Sequence, residues 1–396
     1  MSQMVIANRW LGVSMGGVEK HIRQVISHLR TLGEQVVVVT TSGGAATDID
    51  APIIYSRSSR VKLVSMMLYA LALLSYLIFK NRQAVVLTFF SFDAYLVRAA
   101  KILAPNVRSI NVIEENTIFE KIEGARADIV AFTNPVIAEM CDQTKYLELI
   151  IASESSTDIE VNIPTNVLKI VTVCRLEPRK NLPLLIEVAD SLRQRGVAFR
   201  WSIVGIGPSA EDVASDIKKR GLDDSIYLTG FVSNDELDRI YRSSNVFFLS
   251  SFFEGFGKVY LEAMARGLPV VCKSGGASAY TVGQGGMVID SDDPSAFADV
   301  LQAFLYGKVA FSGQQLQKNL ERFTGEIQRK NTSDLVLSSH TLMPYTKKQT
   351  ILNIWYFFYD SWMYLVTIIS LWVFRGSCTS EKSKIASGRY KCSLTP

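Results

Sequence analysis

The residue types best able to do chemistry sit in Ser250–Gly267, SSFFEGFGKVYLEAMARG. Glu254 stands just before a predicted helix and Glu262 lies in its second turn. Eight residues at a helical rise of ~1.5 Å place the two carboxylates ~12 Å apart along the axis. A paired acid and base acting on one bond needs ~5–9.5 Å. The spacing suits instead two acceptors that grip hydroxyls at opposite ends of a long, polyhydroxylated ligand. Between them, Gly255 and Gly257 leave backbone N–H groups open at a helix N-terminus, where anions are favoured. Carboxylate, anion site, carboxylate is the order that sugar, diphosphate and ribose would need. Taken as structure alone, the same residues are two solvated helix-end glutamates around a glycine turn.

A second element is Val171–Lys180, VTVCRLEPRK. A strand ends at Arg175, and Arg179 and Lys180 stand at the start of the next helix. Cations there oppose the helix dipole, so the fold gains nothing from them, whereas a diphosphate would. Ordinary surface charge is the competing reading. A third element is Ser14–Glu19, SMGGVE, which opens a helix running to Leu32. Gly16 and Gly17 allow close approach of the backbone to a ligand, or simply a turn that Glu19 caps. A fourth segment imitates a dinucleotide fingerprint: Gly205-Ile-Gly207-Pro-Ser-Ala210 fits G-x-G-x-x-A. The next strand, Ser225–Gly230, ends in Leu-Thr-Gly where that fold needs an acid for the ribose. Pro208 also removes an amide, so the segment is not read as a nicotinamide site.

These residues need a scaffold that brings loop ends together, and the pattern supplies one. Gln35–Thr41, Ala84–Thr88 and Ser109–Ile113 are near-continuous β-branched runs, as strands covered on both faces require. In the second half, strands at Leu168–Val173, Phe199–Val204, Ser225–Gly230, Val246–Ser250 and Pro269–Lys273 alternate with helices at Leu182–Arg195, Ala210–Arg220, Asn234–Arg242 and Gly257–Arg266. Strict alternation means right-handed βαβ units and parallel sheets. The polar stretch Ser153–Asn166 separates two such sets. The expected organisation is residues 1–160 and 161–335 as two Rossmann-like domains, which the resemblance described below makes the acceptor-side and the nucleotide-sugar-binding domain. Residues 336–396 would form a hydrophobic segment and basic tail. The length of 396 residues agrees with two or three domains, and 48% hydrophobic content excludes a disordered chain.

Lys and Arg number 42 and Asp and Glu 38, a net charge of +4. Residues 375–396 hold five cations against Glu381 alone, so the rest of the chain is balanced. A neutral body argues against a nucleic-acid-binding face. The five cysteines show no metal-ligand spacing and no disulfide framework, as in a reducing compartment. Met1–Trp10 lacks a charged start followed by a long apolar core, so no secretory leader is expected.

Together the motifs resemble the retaining, GT-B-fold glycosyltransferases of family 4 (group 1), over roughly residues 4–305. The E-x7-E motif is Glu254…Glu262, the strand–GRL–K–N segment is CRLEPRKN, the GGVE motif is Gly16–Glu19, and VGIGP is residues 204–208. The resemblance implies an α/β GT-B fold, two Rossmann-like domains facing across a cleft. It implies transfer of a sugar from a nucleotide diphosphate sugar to a growing glycan or lipid-linked acceptor, for cell-surface polysaccharide. Arg175 and Lys180 would hold the diphosphate, Glu254 the donor sugar and Glu262 the ribose. Amides near Phe256 and Gly257, with Gly16 and Gly17, would close on the phosphates, and Phe231–Val232 would meet the base. No metal and no cofactor is implied, because cations and helix termini stabilise the leaving diphosphate.

This sequence departs from the family at four places. Glu115 stands where a first-domain histidine is usual, Ala279 replaces the glutamate of G-G-x-x-E, N-G-V-D is missing near the linker, and Cys174 replaces a glycine. A degenerate sugar-nucleotide-binding protein with weak or no transfer is therefore the second reading. An epimerase on the same fold is disfavoured by the E-x7-E motif and by a count of three histidines. Leu63–Phe79 carries no charge, at the short limit for a span, and reads as a core-facing helix. Ile351–Phe374, rich in Trp and Tyr, reads as an interfacial helix with the basic tail on anionic lipid. The implied location is cytoplasmic, peripheral to the inner face of the plasma membrane.

Overall fold

The computed structural model describes residues 3–8, 11, 17–41, 49, 51–57, 62–114, 126–141, 147–149 and 158–341. Gly16, Glu115, Ile351–Phe374 and the basic tail lie outside the described residues. The chain divides into two units.

The first unit contains β1 (Met4–Ala7), α1 (Gly17–Thr31), β2 (Val36–Thr41), β3 (Ile53–Ser56) and α2 (Lys62–Ser75), which a π-helical turn (Tyr76–Lys80) extends. It continues through β4 (Val85–Thr88), α3 (Ser91–Leu103), β5 (Arg108–Ile113), β6 (Ile129–Phe132), α4 (Pro135–Met140) and β7 (Leu147–Glu148). The strands form a parallel sheet in the order β3-β2-β1-β4-β5-β6-β7. Alternate residues of each strand feed opposite cores. Met4, Ile6, Val36 and Val38 pack with Ile22, Val25 and Leu29 of α1. Val5, Ala7 and Val39 pack with Tyr69 and Leu73 of α2 and Val97 of α3. Burial on both faces is why these strands lack apolar–polar alternation.

The second unit contains β8 (Leu168–Val173), a 3-10 turn (Pro178–Lys180), α5 (Leu182–Gln194), β9 (Phe199–Val204), α6 (Ala210–Lys219) and β10 (Ile226–Gly230). Then follow α7 (Asn234–Ser243), β11 (Val246–Leu249), α8 (Lys258–Met264), β12 (Val270–Lys273), α9 (Ser278–Val282), β13 (Gly286–Ile289), α10 (Pro294–Leu305) and α11 (Gly313–Leu320). Its sheet is parallel, in the order β10-β9-β8-β11-β12-β13. Ser233 caps α7: its hydroxyl accepts the Glu236 N–H at 3.2 Å. The core is aromatic across β8, between β9 and β11. Trp201 packs edge-on against Phe248 at 4.9 Å and donates to Thr172 at 3.1 Å.

The domain limits differ from the sequence expectation at both ends of the second unit. Ile159 and Glu160 belong to it, because their carbonyls lie against Gly313 and Gly267, where any side chain would collide. The last described helix, α12 (Gly325–His340), returns to the first unit. Leu335 and Val336 enter the core around α1. Gln328 donates to Gln24 at 3.5 Å, and His340 lies 3.4 Å from Glu34. Residues 326–335 therefore do not belong with 161–325. Leu63–Phe79 is the core-facing helix expected, with Tyr69, Leu73 and Leu77 fully buried. No helix among the described residues is long and apolar enough to cross a membrane.

The packing of α12 on α1 has a consequence for acid stability. His28 is held below the ordinary imidazole value of 6.5, first by burial, then by the charge of Arg329 and by His21. Below that value the unfolded chain binds the proton before the folded one, so stability falls as pH drops through it. His28→Gln should make the midpoint of thermal unfolding fall less between about pH 7 and about pH 5. A pH profile identical to wild type would refute this assignment.

Candidate functional site

In an open parallel sheet, ligands bind beyond the carboxyl ends of the strands, where the strand order reverses. In the second unit that point lies between β8 and β11, and most of the singled-out residues follow strand ends around it. Arg175–Lys180 follows β8, Gly205–Ser209 follows β9, Phe231–Val232 follows β10, Glu254–Gly257 follows β11 and Gly275–Gly276 follows β12.

The two loops that flank the reversal are joined by charge. Lys180 Nζ donates to Glu254 Oε1 at 2.6 Å, with the two side chains 11% and 10% exposed. Asn181, in the left-handed region at φ 50°, turns the chain from the 3-10 turn into α5 and so aims Lys180 inward. Ser250, fully buried at the end of β11, donates to the carbonyls of Lys180 and Asn181 at 3.0 and 2.9 Å. The Phe252 N–H adds a bond to the Arg179 carbonyl at 3.0 Å. Arg175 is 76% exposed and lies 3.9 Å from Glu177, which chiefly holds Arg179 at 2.6 Å. Arg175 is therefore open to a ligand, while Arg179 is engaged.

Glu254 is fixed through its backbone. Its carbonyl accepts the Ala277 N–H at 2.8 Å, and it bridges Gly276 in parallel. A Cβ on Gly276 would lie 2.3 Å from that carbonyl, so the Gly-Gly pair allows the loops to interlock even though the family's glutamate is Ala279 here. Gly257, at φ 78°, caps α8, and a side chain there would strike the Tyr260 ring. Phe256 is buried, edge-on to Phe323 at 5.4 Å, and the Thr281 hydroxyl donates to its carbonyl at 2.5 Å. Behind Thr281, Asn319 donates to the Thr281 carbonyl at 2.9 Å and accepts from Arg322 at 2.9 Å. The loop bearing Glu254 is thus backed by a buried polar chain that no sequence motif announces. Asn319 is one polar residue in an otherwise unremarkable helix.

Glu262 projects from α8, where the Tyr241 hydroxyl approaches it at 3.5 Å. Arg266 caps the same helix face, donating to the Glu262 carbonyl at 3.0 Å and to Asp238 at 2.7 Å. Phe231 is 71% exposed after the glycine turn at Gly230, an aromatic face free to stack. Val232 follows it, half-buried. Cys174 lies beside Lys180 and Glu254. Burial is the main cause that pushes its thiol up to about 12, so it stays neutral near pH 7.

The Gly205–Gly207 pair has a packing role. A Cβ on Gly205 would lie 1.9 Å from the Cys174 carbonyl, and one on Gly207 2.2 Å from that of Leu176. In the first unit, Gly17 opens α1. Further along that helix, buried His21 pairs through Nδ1 with Glu114 at 3.0 Å. His21 thus anchors the residue beside Glu115. Among the described residues no cluster of three His, Cys, Asp or Glu is placed to hold a metal ion.

Two Rossmann-like parallel-sheet domains define the GT-B class of fold. A solved structure of Anabaena Alr3699/HepE in complex with UDP and glucose superposes with a TM-score of 0.69 at 14% identity, covering 85% of this chain and 100% of that one. Residues 155–323 match the family described as glycosyl transferases group 1. The putative colanic acid biosynthesis glycosyltransferase WcaL of Escherichia coli K12 is 34% identical over 152 residues, 36% of this chain and 37% of that protein. The O-antigen chain mannosyltransferase B of Escherichia coli is 34% identical over 132 residues, 32% of this chain and 34% of its own length. The alignments thus span little more than a third of these relatives.

Removing one partner of a buried ion pair strands the other charge, at a cost of ~3–5 kcal/mol. A tenth of each side chain is exposed, so Lys180→Met should lose stability near the lower end of that range. The double variant Lys180→Met/Glu254→Leu should recover most of the loss in chemical denaturation. If the single and double variants lose the same amount, the pair is not the coupled unit described.

Proposed function

We propose that the protein is a retaining glycosyltransferase. It would move a sugar from a nucleotide diphosphate sugar to a growing glycan or lipid-linked acceptor in cell-surface polysaccharide synthesis. The observation that carries the reading is the Lys180–Glu254 pair at the strand-order reversal of the second unit. It puts a cation and a hydroxyl acceptor side by side at the place where open parallel sheets bind ligands. The names of the relatives and the UDP and glucose held by the HepE structure support it.

In this reading the diphosphate takes Lys180 and Arg175, and Glu254, relieved of part of its partner, accepts hydrogen bonds from the donor sugar. Glu262 takes the ribose hydroxyls and Phe231–Val232 the base, while the Phe256–Gly257 backbone, Gly16 and Gly17 meet the phosphates. Glu115 occupies the sequence position where the family's sugar-side histidine is usual. Breakage of the bond between the anomeric carbon and the diphosphate oxygen leaves charge on that oxygen, and Lys180 and Arg175 stabilise it. The cations of the chain do this work, with no metal or cofactor assigned. The protein would act in the cytoplasm at the inner face of the plasma membrane. A binding protein with weak or no transfer remains the second reading, favoured by Ala279 in place of the family's glutamate and by Glu115 in place of its histidine.

A panel of labelled nucleotide sugars and acceptors separates the two. Glu254→Ala and Lys180→Ala should each lower turnover by ~10²–10³. Glu262→Ala should mainly raise the donor KM. Near-normal turnover in Glu254→Ala would overturn the site, and donor binding without transfer to any acceptor would favour the second reading.

A further inference from the structure

Helix α2 has two apolar faces and only one of them is buried. Tyr69, Leu73 and Leu77 pack on the first sheet with no exposure. The other side presents Val64, Met67, Leu71 and, past the π-helical turn, Phe79, exposed by 41%, 58%, 59% and 80%. The spacing of the first three is helical, so they form one stripe. No charged residue occurs between Leu63 and Phe79. A water-facing helix ordinarily carries its charges on this side, and a contiguous apolar stripe marks an interaction surface.

The charge around the stripe identifies what it meets. Residues 51–113 hold eight Lys and Arg against one acid, Asp93; Asp93 is buried, and so are Arg98, Lys101 and Arg108 among the cations. The cations that bear on the stripe are the exposed ones at its two ends. Arg57 precedes the stripe, Lys80 and Arg82 follow it, and all three are exposed. A second copy of the chain docked stripe to stripe would bring cations against cations in either orientation, since both ends are basic. A bilayer with anionic headgroups satisfies both features, taking the apolar side chains into the acyl boundary and the cations among the phosphates.

We propose that α2 and its π-helical turn dock the first unit flat on an anionic lipid surface. The helix cannot span, because its inner face is the wall of its own core. The proposal involves no residue of the donor site, so its failure and that of the transferase reading are separable.

The test uses the full chain and vesicles of phosphatidylglycerol or phosphatidylcholine, read by cosedimentation and hydroxyl-radical footprinting. The chain should sediment with phosphatidylglycerol, less so at high salt, and weakly with phosphatidylcholine. Labelling of Met67 and Phe79 should fall on the anionic vesicles. Met67→Ser/Leu71→Ser/Phe79→Ser changes only exposed positions. It should lower the partition at least ~10-fold while thermal midpoint and nucleotide-sugar binding stay unchanged. The proposal is overturned by any of three results: partition unaffected by the triple variant, unchanged labelling of Met67 and Phe79 with protection confined to 351–374, or loss of a dimer in place of loss of vesicle binding.

Discussion

The candidate site of the second unit is organised around one contact, the ion pair between Lys180 and Glu254. Two charges this far out of water are tolerable only together, and their attraction is strong because the surroundings are poorly polarisable. The pair closes the two loops that flank the strand-order reversal. In the proposed reading it also holds the two groups a ligand would use. An anion can take over Lys180, and a hydroxyl-rich group can then use the Glu254 oxygens. Most other features nearby serve to keep the two loops in register. Ser250 bonds the Lys180 and Asn181 carbonyls, Gly276 admits the Glu254 backbone, and Thr281 holds the next turn from behind.

Much of this was legible in the residues. Continuous β-branched strands such as Val36–Thr41 declare a sheet covered on both faces, and the cores on either side of β1 and β2 are the reason. Cations beside a helix start, at Arg179 and Lys180, have no use in the fold unless something negative meets them. Lys180 meets Glu254 and Arg179 meets Glu177, so the chain itself supplies part of the answer. The failed dinucleotide motif was legible too, for lack of an acid. Its positive role, the nesting of Gly205 and Gly207 against the loop after β8, depends on a close approach that sequence does not encode locally.

What could not be read is long-range. The short strands β3, β6 and β7 carry too few residues for a period to show. Helix α12 follows the second unit in sequence but buries Leu335 and Val336 in the first, so a boundary drawn by order along the chain falls in the wrong place. The chain from Arg322 through Asn319 and Thr281 to Phe256 joins residues up to 66 positions apart. Helix α2 reads in sequence as one apolar block, and only the fold divides it into a face that packs and a face that does not.

The central claim is that the carboxyl-end reversal of the second sheet, closed by Lys180 and Glu254, is the donor site. The most direct measurement is a crystal structure of the full chain with a nucleoside diphosphate hexose. The account predicts a phosphate oxygen within about 3 Å of Lys180 Nζ, a hexose hydroxyl on the Glu254 carboxylate, and a lengthened Lys180–Glu254 contact. A diphosphate seated instead on the Gly205–Ser209 loop, with the ion pair undisturbed, would contradict it.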